Sequence, residues 1–98
     1  MTLAILLTSG FESADKHTAL RLAEAALAQG HHVKLFLMGD GVYSASIFGN
    51  LAQKGASVVW CSHNAQQRGL LPVQGVSAGS QFEWAEMVAQ ADRVVSFG

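Results

Sequence analysis

Hydropathy along the chain alternates between unbroken apolar runs and stretches with helical spacing. Residues 2 to 8, TLAILLT, are apolar throughout and close on Ser9-Gly10. Such a run suits a strand buried on both faces of a parallel sheet. Across 13 to 30, Leu20, Ala23 and Leu27 fall at i, i+3 and i+7, with Ala19 and Ala26 beside them. That spacing predicts a helix, capped by Ser13 or Asp15 and ended by Gly30. HHVKLFLM, 31 to 38, predicts a second strand, followed by a tight Gly39-Asp40-Gly41 turn. VYSASIFGNLAQKG, 42 to 55, reads as a helix weakened by Gly49 and ended by Gly55. ASVVWC, 56 to 61, predicts a third strand, and 63 to 69 a short helix or helical turn. Pro72 and the Gly-Ser content of VQGVSAGS predict a loop, with a short fourth strand near Val76. Ser80 and Glu83 have capping-box spacing for a helix over 81 to 91, and DRVVSF, 92 to 97, is the last strand.

This order predicts a mainly parallel sheet of about five strands, with helices on both faces and right-handed crossovers. Ligands of such folds gather beyond the carboxyl ends of the strands. The positions expected there are Thr8 to Glu12, Gly39 to Tyr43, Cys61 to Asn64, and Gly98.

Composition narrows the function classes. With 98 residues the expectation is one domain spanning the chain. Six Lys and Arg stand against seven Asp and Glu, and no basic run exists, so the footprint of a nucleic-acid binder is missing. Nothing points to an anionic membrane surface. The apolar start MTLAILLTSG is too short to span a bilayer and lacks a basic flank, so it does not read as a signal peptide. One cysteine cannot staple the chain to itself, and the expected compartment is the reduced cytoplasm.

That cysteine is the main candidate for chemistry. Cys61 ends a strand immediately before a helical segment, whose free N–H groups favour the thiolate, the nucleophilic form. Arg68 lies two turns further along and is a source of positive charge. A buried cysteine acting as a small hydrophobe is the competing reading, and position alone leaves both open. His63 invites a Cys–His pairing, but a spacing of two residues is a poor guide to contact, and a solvated loop histidine is the plainer reading. His31 and His32 open a strand on opposite faces, and with Cys61 and His63 they make no zinc pattern, so no metal is expected. Gly39-Asp40-Gly41 either offers backbone N–H groups to an anion or is a turn that needs glycine torsions. Trp60, Trp84, Phe82, Phe48 and Tyr43 exceed what one small core absorbs, which predicts an oligomer.

Three stretches, LFLMGDGVYSA at 35 to 45, CSHNAQQRGLL at 61 to 71 and ADRVVSFG at 91 to 98, resemble the DsrE/TusD sulfur-relay family. The resemblance implies a flavodoxin-like three-layer α/β domain over residues 1 to 98, assembled into homomeric or mixed trimers or hexamers. It implies a sulfurtransferase in which Cys61 carries sulfur as a persulfide, accepted from one sulfur-carrier protein and passed to another. Such relays serve tRNA 2-thiouridine formation or sulfur oxidation, with no cofactor, no membrane and no direct contact with nucleic acid. Cys61, Arg68 and Gly69 match the family's cysteine and Arg-Gly spacing, and Gly39 to Val42 match its turn beside the cysteine. Ser62, His63, Gly39, Asp40 and Gly41 are the expected supporting residues. The chain is shorter than TusD and DsrE proteins around residues 45 to 55. The alternative is a non-catalytic assembly or ligand-binding subunit of the same fold, in which Cys61 is incidental.

Overall fold

The apolar runs lie side by side as one parallel sheet in the computed structural model, which describes residues 1–98. The strands are β1 (Thr2–Leu7), β2 (His32–Leu37), β3 (Ser57–Cys61), β4 (Ser77–Gly79) and β5 (Arg93–Phe97), in the order β4-β3-β2-β1-β5. Leu7 pairs with Leu37 on one side and Phe97 on the other, Leu37 pairs with Trp60, and Cys61 pairs with Gly79. The α-helices are α1 (Asp15–Ala28), α2 (Ser62–Gln67) and α3 (Gln81–Gln90). The three-layer α/β architecture expected from the element order is therefore present.

Strand order and handedness together decide which face each helix covers. From β1 to β4 the chain always steps the same way across the sheet, and right-handed crossovers then place every connection on one face. The step from β4 to β5 runs back across the sheet, so its helix lands on the other face. One cluster of 17 buried residues joins Ala19, Ala23 and Ala26 of α1, and Ala65 of α2, to Leu3, Ile5, Leu7, Leu35, Leu37, Val58 and Trp60. The opposite cluster has only 5, Ala4, Phe36, Val59, Cys61 and Met87, with Met87 supplied by α3.

The helix expected over 42 to 55 is instead two 3-10 stretches, Gly39–Ile47 and Gly49–Lys54. The buried residues Val42, Ala45, Phe48 and Leu51 recur every three positions, the period of a 3-10 helix rather than the 3.6 of an α-helix. The break falls at Phe48, and the loop before β4 lands on Gly49, the first residue of the second stretch. A side chain on Gly49 would collide with the carbonyl oxygen of Gln74, and one on Gly75 with that of Gly49. The cap of α1 also differs from expectation. Ala14 holds the cap position, and Ser13 Oγ accepts from the Asp15 N–H at 3.1 Å, stabilising the turn before the helix. Gly30 follows α1 with φ +85°, as a helix-ending glycine should. Lys16 is buried in the first turn of α1, donating to the carbonyls of Phe11 and Ser13 and lying 4.5 Å from the centre of the Phe11 ring.

Candidate functional site

Alternation along β3 decides which way Cys61 points. Val58 and Trp60 enter the large cluster, so Val59 and Cys61 face the α3 side. Cys61 is the last residue of β3, still extended at φ −71° and ψ 110°, and α2 begins at the next residue. It is a free thiol, 5% exposed, in a cluster with Ala4, Phe36, Val59 and Met87. Met38, Leu6, Trp84 and Ala91 pack around that cluster, half-buried. Its pairing partner Gly79 has no room for a side chain: a Cβ there would press on Val59 and on the Glu83 side chain. The bare backbone of Gly79 thus lets α3 settle close to the end of β3.

The expected supporting residues form a tie between the turn after β2 and α2, rather than a ring around the thiol. Gly39 turns with φ +56° and donates its N–H to Asn64 Oδ1 at 2.8 Å. Arg68 donates through Nε (3.1 Å) and Nη2 (2.8 Å) to Asp40 Oδ1, and through Nη1 (3.1 Å) to the Asn64 carbonyl. Its guanidinium also sits 5.8 Å from the centre of the Tyr43 ring, within cation–π range. Gly41 donates to the Met38 carbonyl at 3.0 Å and packs flat against the end of β1, where a Cβ would strike the Leu7 carbonyl. Ser62 Oγ donates to the Gly79 carbonyl at 2.9 Å and fastens the start of α2 to β4. Gly69, at φ +66°, closes α2 by donating to the Gln66 carbonyl at 3.1 Å.

The structure therefore brings Gly39, Asp40 and Arg68 together through Asn64, a residue the sequence pattern did not single out. The hydrogen bonds of Arg68, Ser62 and Gly39 all end on these partners and not on the Cys61 sulfur. His63 is exposed on α2, and His31 and His32 lie at the start of β2, at the opposite end of the strands from Cys61. No three of the His, Cys, Asp and Glu side chains gather as a metal-binding group.

The N-terminus of α3 is the other ordered part of this edge. Ser80 Oγ accepts from the Phe82 N–H at 3.2 Å, and Glu83 Oε2 accepts from the Ser80 N–H at 2.6 Å and hydroxyl at 2.7 Å. This is the reciprocal capping box that the Ser80 and Glu83 spacing predicts. The Ser80 hydroxyl first, then the Ser80 N–H, hold the Glu83 carboxyl below its ordinary range, because both bonds favour the ionised form. Gln81 reaches back from α3 to Met38, with Nε2 3.1 Å from the thioether sulfur.

Comparisons with known proteins bear on the family and the fold. The family model described as "DsrE/DsrF-like family" matches residues 1–97. An uncharacterized protein of Methanopyrus kandleri is 29% identical, the match covering 83% of this chain and 80% of that protein. The crystal structure of the ychN protein from E. coli is similar with TM-score 0.84 at 25% identity, covering 98% of this chain and 97% of that one. A conserved protein of unknown function from Bacteroides thetaiotaomicron has the same fold, with TM-score 0.76 at 16% identity and coverage of 98% and 94%.

Proposed function

This chain belongs to the DsrE/DsrF-like family, and from that premise we propose that it is a cytoplasmic sulfur-relay protein whose Cys61 carries sulfane sulfur as a persulfide. The observation that carries the reading is the placement of the lone cysteine at the carboxyl end of β3. The tie of Gly39, Asp40, Asn64 and Arg68 stands beside it, on residues that match the family's turn and Arg-Gly spacing. In the proposed step the Cys61 thiolate attacks the outer sulfur of a partner protein's persulfide. A new S–S bond forms on Cys61, the partner's S–S bond breaks, and the partner leaves as a thiolate, with no net oxidation. The same exchange in reverse hands the sulfur to an acceptor. With one cysteine in the chain, no internal thiol discharges the persulfide.

Asp40 and Arg68 hold α2 against the turn after β2 in this reading, so that the Cys61 backbone cannot drift. Gly39 and Gly41 let that turn lie flat, Gly69 ends α2, and Ser62 pins it to β4. His63 faces outward, where an incoming carrier protein would meet it. The partners are sulfur-carrier proteins and further copies or homologues of the chain in a trimer or hexamer. The exposed Leu71 (81%) and Phe82 (67%) support such contacts.

A second reading rests on one observation, the burial of Cys61. A thiol enclosed among Phe36, Val59 and Met87 also fits a non-catalytic assembly subunit in which the cysteine is packing. Intact-protein mass spectrometry separates the two readings. The protein is incubated with a desulfurase-charged carrier under non-reducing conditions, alongside Cys61→Ala. A reductant-sensitive gain of about one sulfur atom on wild type alone supports the relay. No gain, while a known relay protein in the same tube is charged, supports the assembly subunit.

A further inference from the structure

Cys61 is covered from one side by a single helix, and that helix is lightly held. Of the ten residues of α3 only Met87 is buried, whereas α1 buries Lys16, Ala19, Ala23 and Ala26. Trp84 adds a half-buried contact, its ring centre 6.0 Å from that of Phe36. Two side-chain ties complete the attachment, one at each end: Gln81 to Met38, and Gln90 accepting from Lys34. The helix enters and leaves through extended residues, Ser80 at φ −132° and Ala91 at φ −83°, ψ 146°. Before it lies β4, an edge strand of three residues with no buried side chain. After it, Asp92 is pinned to β1, its N–H on the Thr2 carbonyl at 2.8 Å and its Oδ2 accepting from the Thr2 N–H at 2.7 Å. The capping box lies wholly within Ser80, Phe82 and Glu83, so the first turn of α3 keeps its hydrogen bonds whether or not the helix touches the sheet.

We propose that α3 is a lid: it swings off the sheet as a rigid helix about Gly79–Ser80 and Ala91–Asp92, and this motion, not unfolding of the chain, admits a partner to Cys61. A helix that carries its own cap can leave its seat without unravelling. The cluster that encloses the thiol opens when Met87, and Trp84 packed against that cluster, withdraw. Such elements belong to the low-stability end of a fold, opening far more often than the core. The motion stands on geometry alone; only its purpose rests on the sulfur-carrier reading.

The test is the rate at which iodoacetamide labels Cys61, read with hydrogen exchange and denaturant stability on the full chain. Native protein should label at least about tenfold more slowly than urea-unfolded protein, yet faster than global unfolding allows. The α3 amides should stay protected while Cys61 labels, because the lid moves as an intact helix. Gln81→Ala and Trp84→Ala should each raise the labelling rate, Trp84→Ala by roughly tenfold or more. Leu20→Ala, on the opposite face, should raise it only as far as it lowers global stability. Because Gln81 is exposed, its variant folds even if Trp84→Ala does not. Labelling of native protein at the unfolded rate would overturn the lid. So would labelling that follows global unfolding in every variant, or α3 amides that exchange as fast as Cys61 labels, since the helix would then be unfolding and not swinging. Charging by a sulfur donor is scored separately. A variant that labels readily but never gains sulfur removes the relay and leaves the lid standing.

Discussion

Gly41 and Asn64 are the residues on which the site's framework turns. Gly41 lies where a Cβ would run into the Leu7 carbonyl, so Gly41→Ala should cost about 2 kcal/mol or more in urea denaturation, through forced displacement of the turn. Asn64 fills the acceptor role for the Gly39 N–H across 25 positions of sequence. Asn64→Leu leaves that half-buried donor unpaired and should cost roughly 1–3 kcal/mol, whereas Asn64→Asp keeps an acceptor and should cost less. Arg68→Ala removes an ion pair whose Asp40 side chain is 59% exposed, and its stability cost should stay at or below about 1 kcal/mol. Any larger effect of Arg68→Ala on sulfur loading would therefore report on the site and not on the fold. At this scale Cys61, Arg68, Gly39 and Asp40 were legible in sequence as a strand end, a spaced cation and a turn. Asn64 was not, because a side chain's partner far along the chain leaves no local pattern.

Capping and periodicity govern the elements. The capping box of α3 was readable from Ser80 and Glu83 alone, since both partners lie within one turn. Ser80→Ala should cost about 1 kcal/mol, checked by thermal and chemical denaturation. The same box sets a pH dependence. The folded Glu83 carboxyl titrates below its ordinary value of 4.5, so its contribution is complete above that value and is lost as pH falls through the lowered one. Glu83→Gln removes this part, and wild-type and variant stabilities should converge as pH drops below the carboxylate range. The stretch after β2 follows a shorter period than an α-helix. Val42, Ala45, Phe48 and Leu51 repeat every three residues, which gives a 3-10 helix where the run from 42 to 55 predicts an α-helix weakened by Gly49. Its actual role, backbone contact with Gln74 and Gly75, depends on a loop more than twenty residues downstream.

The whole molecule is asymmetric about its sheet. Three connections crowd one face and α3 alone serves the other, because the strands advance from β1 to β4 and then double back to β5. Substitutions should reflect that asymmetry. Leu35→Ala, in the cluster of 17, should fall toward the upper part of the roughly 2–5 kcal/mol range for such core truncations. Met87→Ala, in the cluster of 5, should fall toward the lower part and act chiefly on the seating of α3, as the rate of Cys61 labelling would resolve.

The sequence by itself determined the strands, the first helix and the last. Unbroken apolar runs require strands buried on both faces, alternation along β3 turns Cys61 away from Trp60, and Ser80 with Glu83 starts the last helix. These are rules of neighbouring residues, written in local spacing. Only the tertiary structure decided that Cys61 faces the thinly covered side, that one helix shields it, and that Arg68 is held by Asp40 and Asn64. Those outcomes depend on strand order and on which distant backbones meet, and a chain's local periodicity carries no record of either.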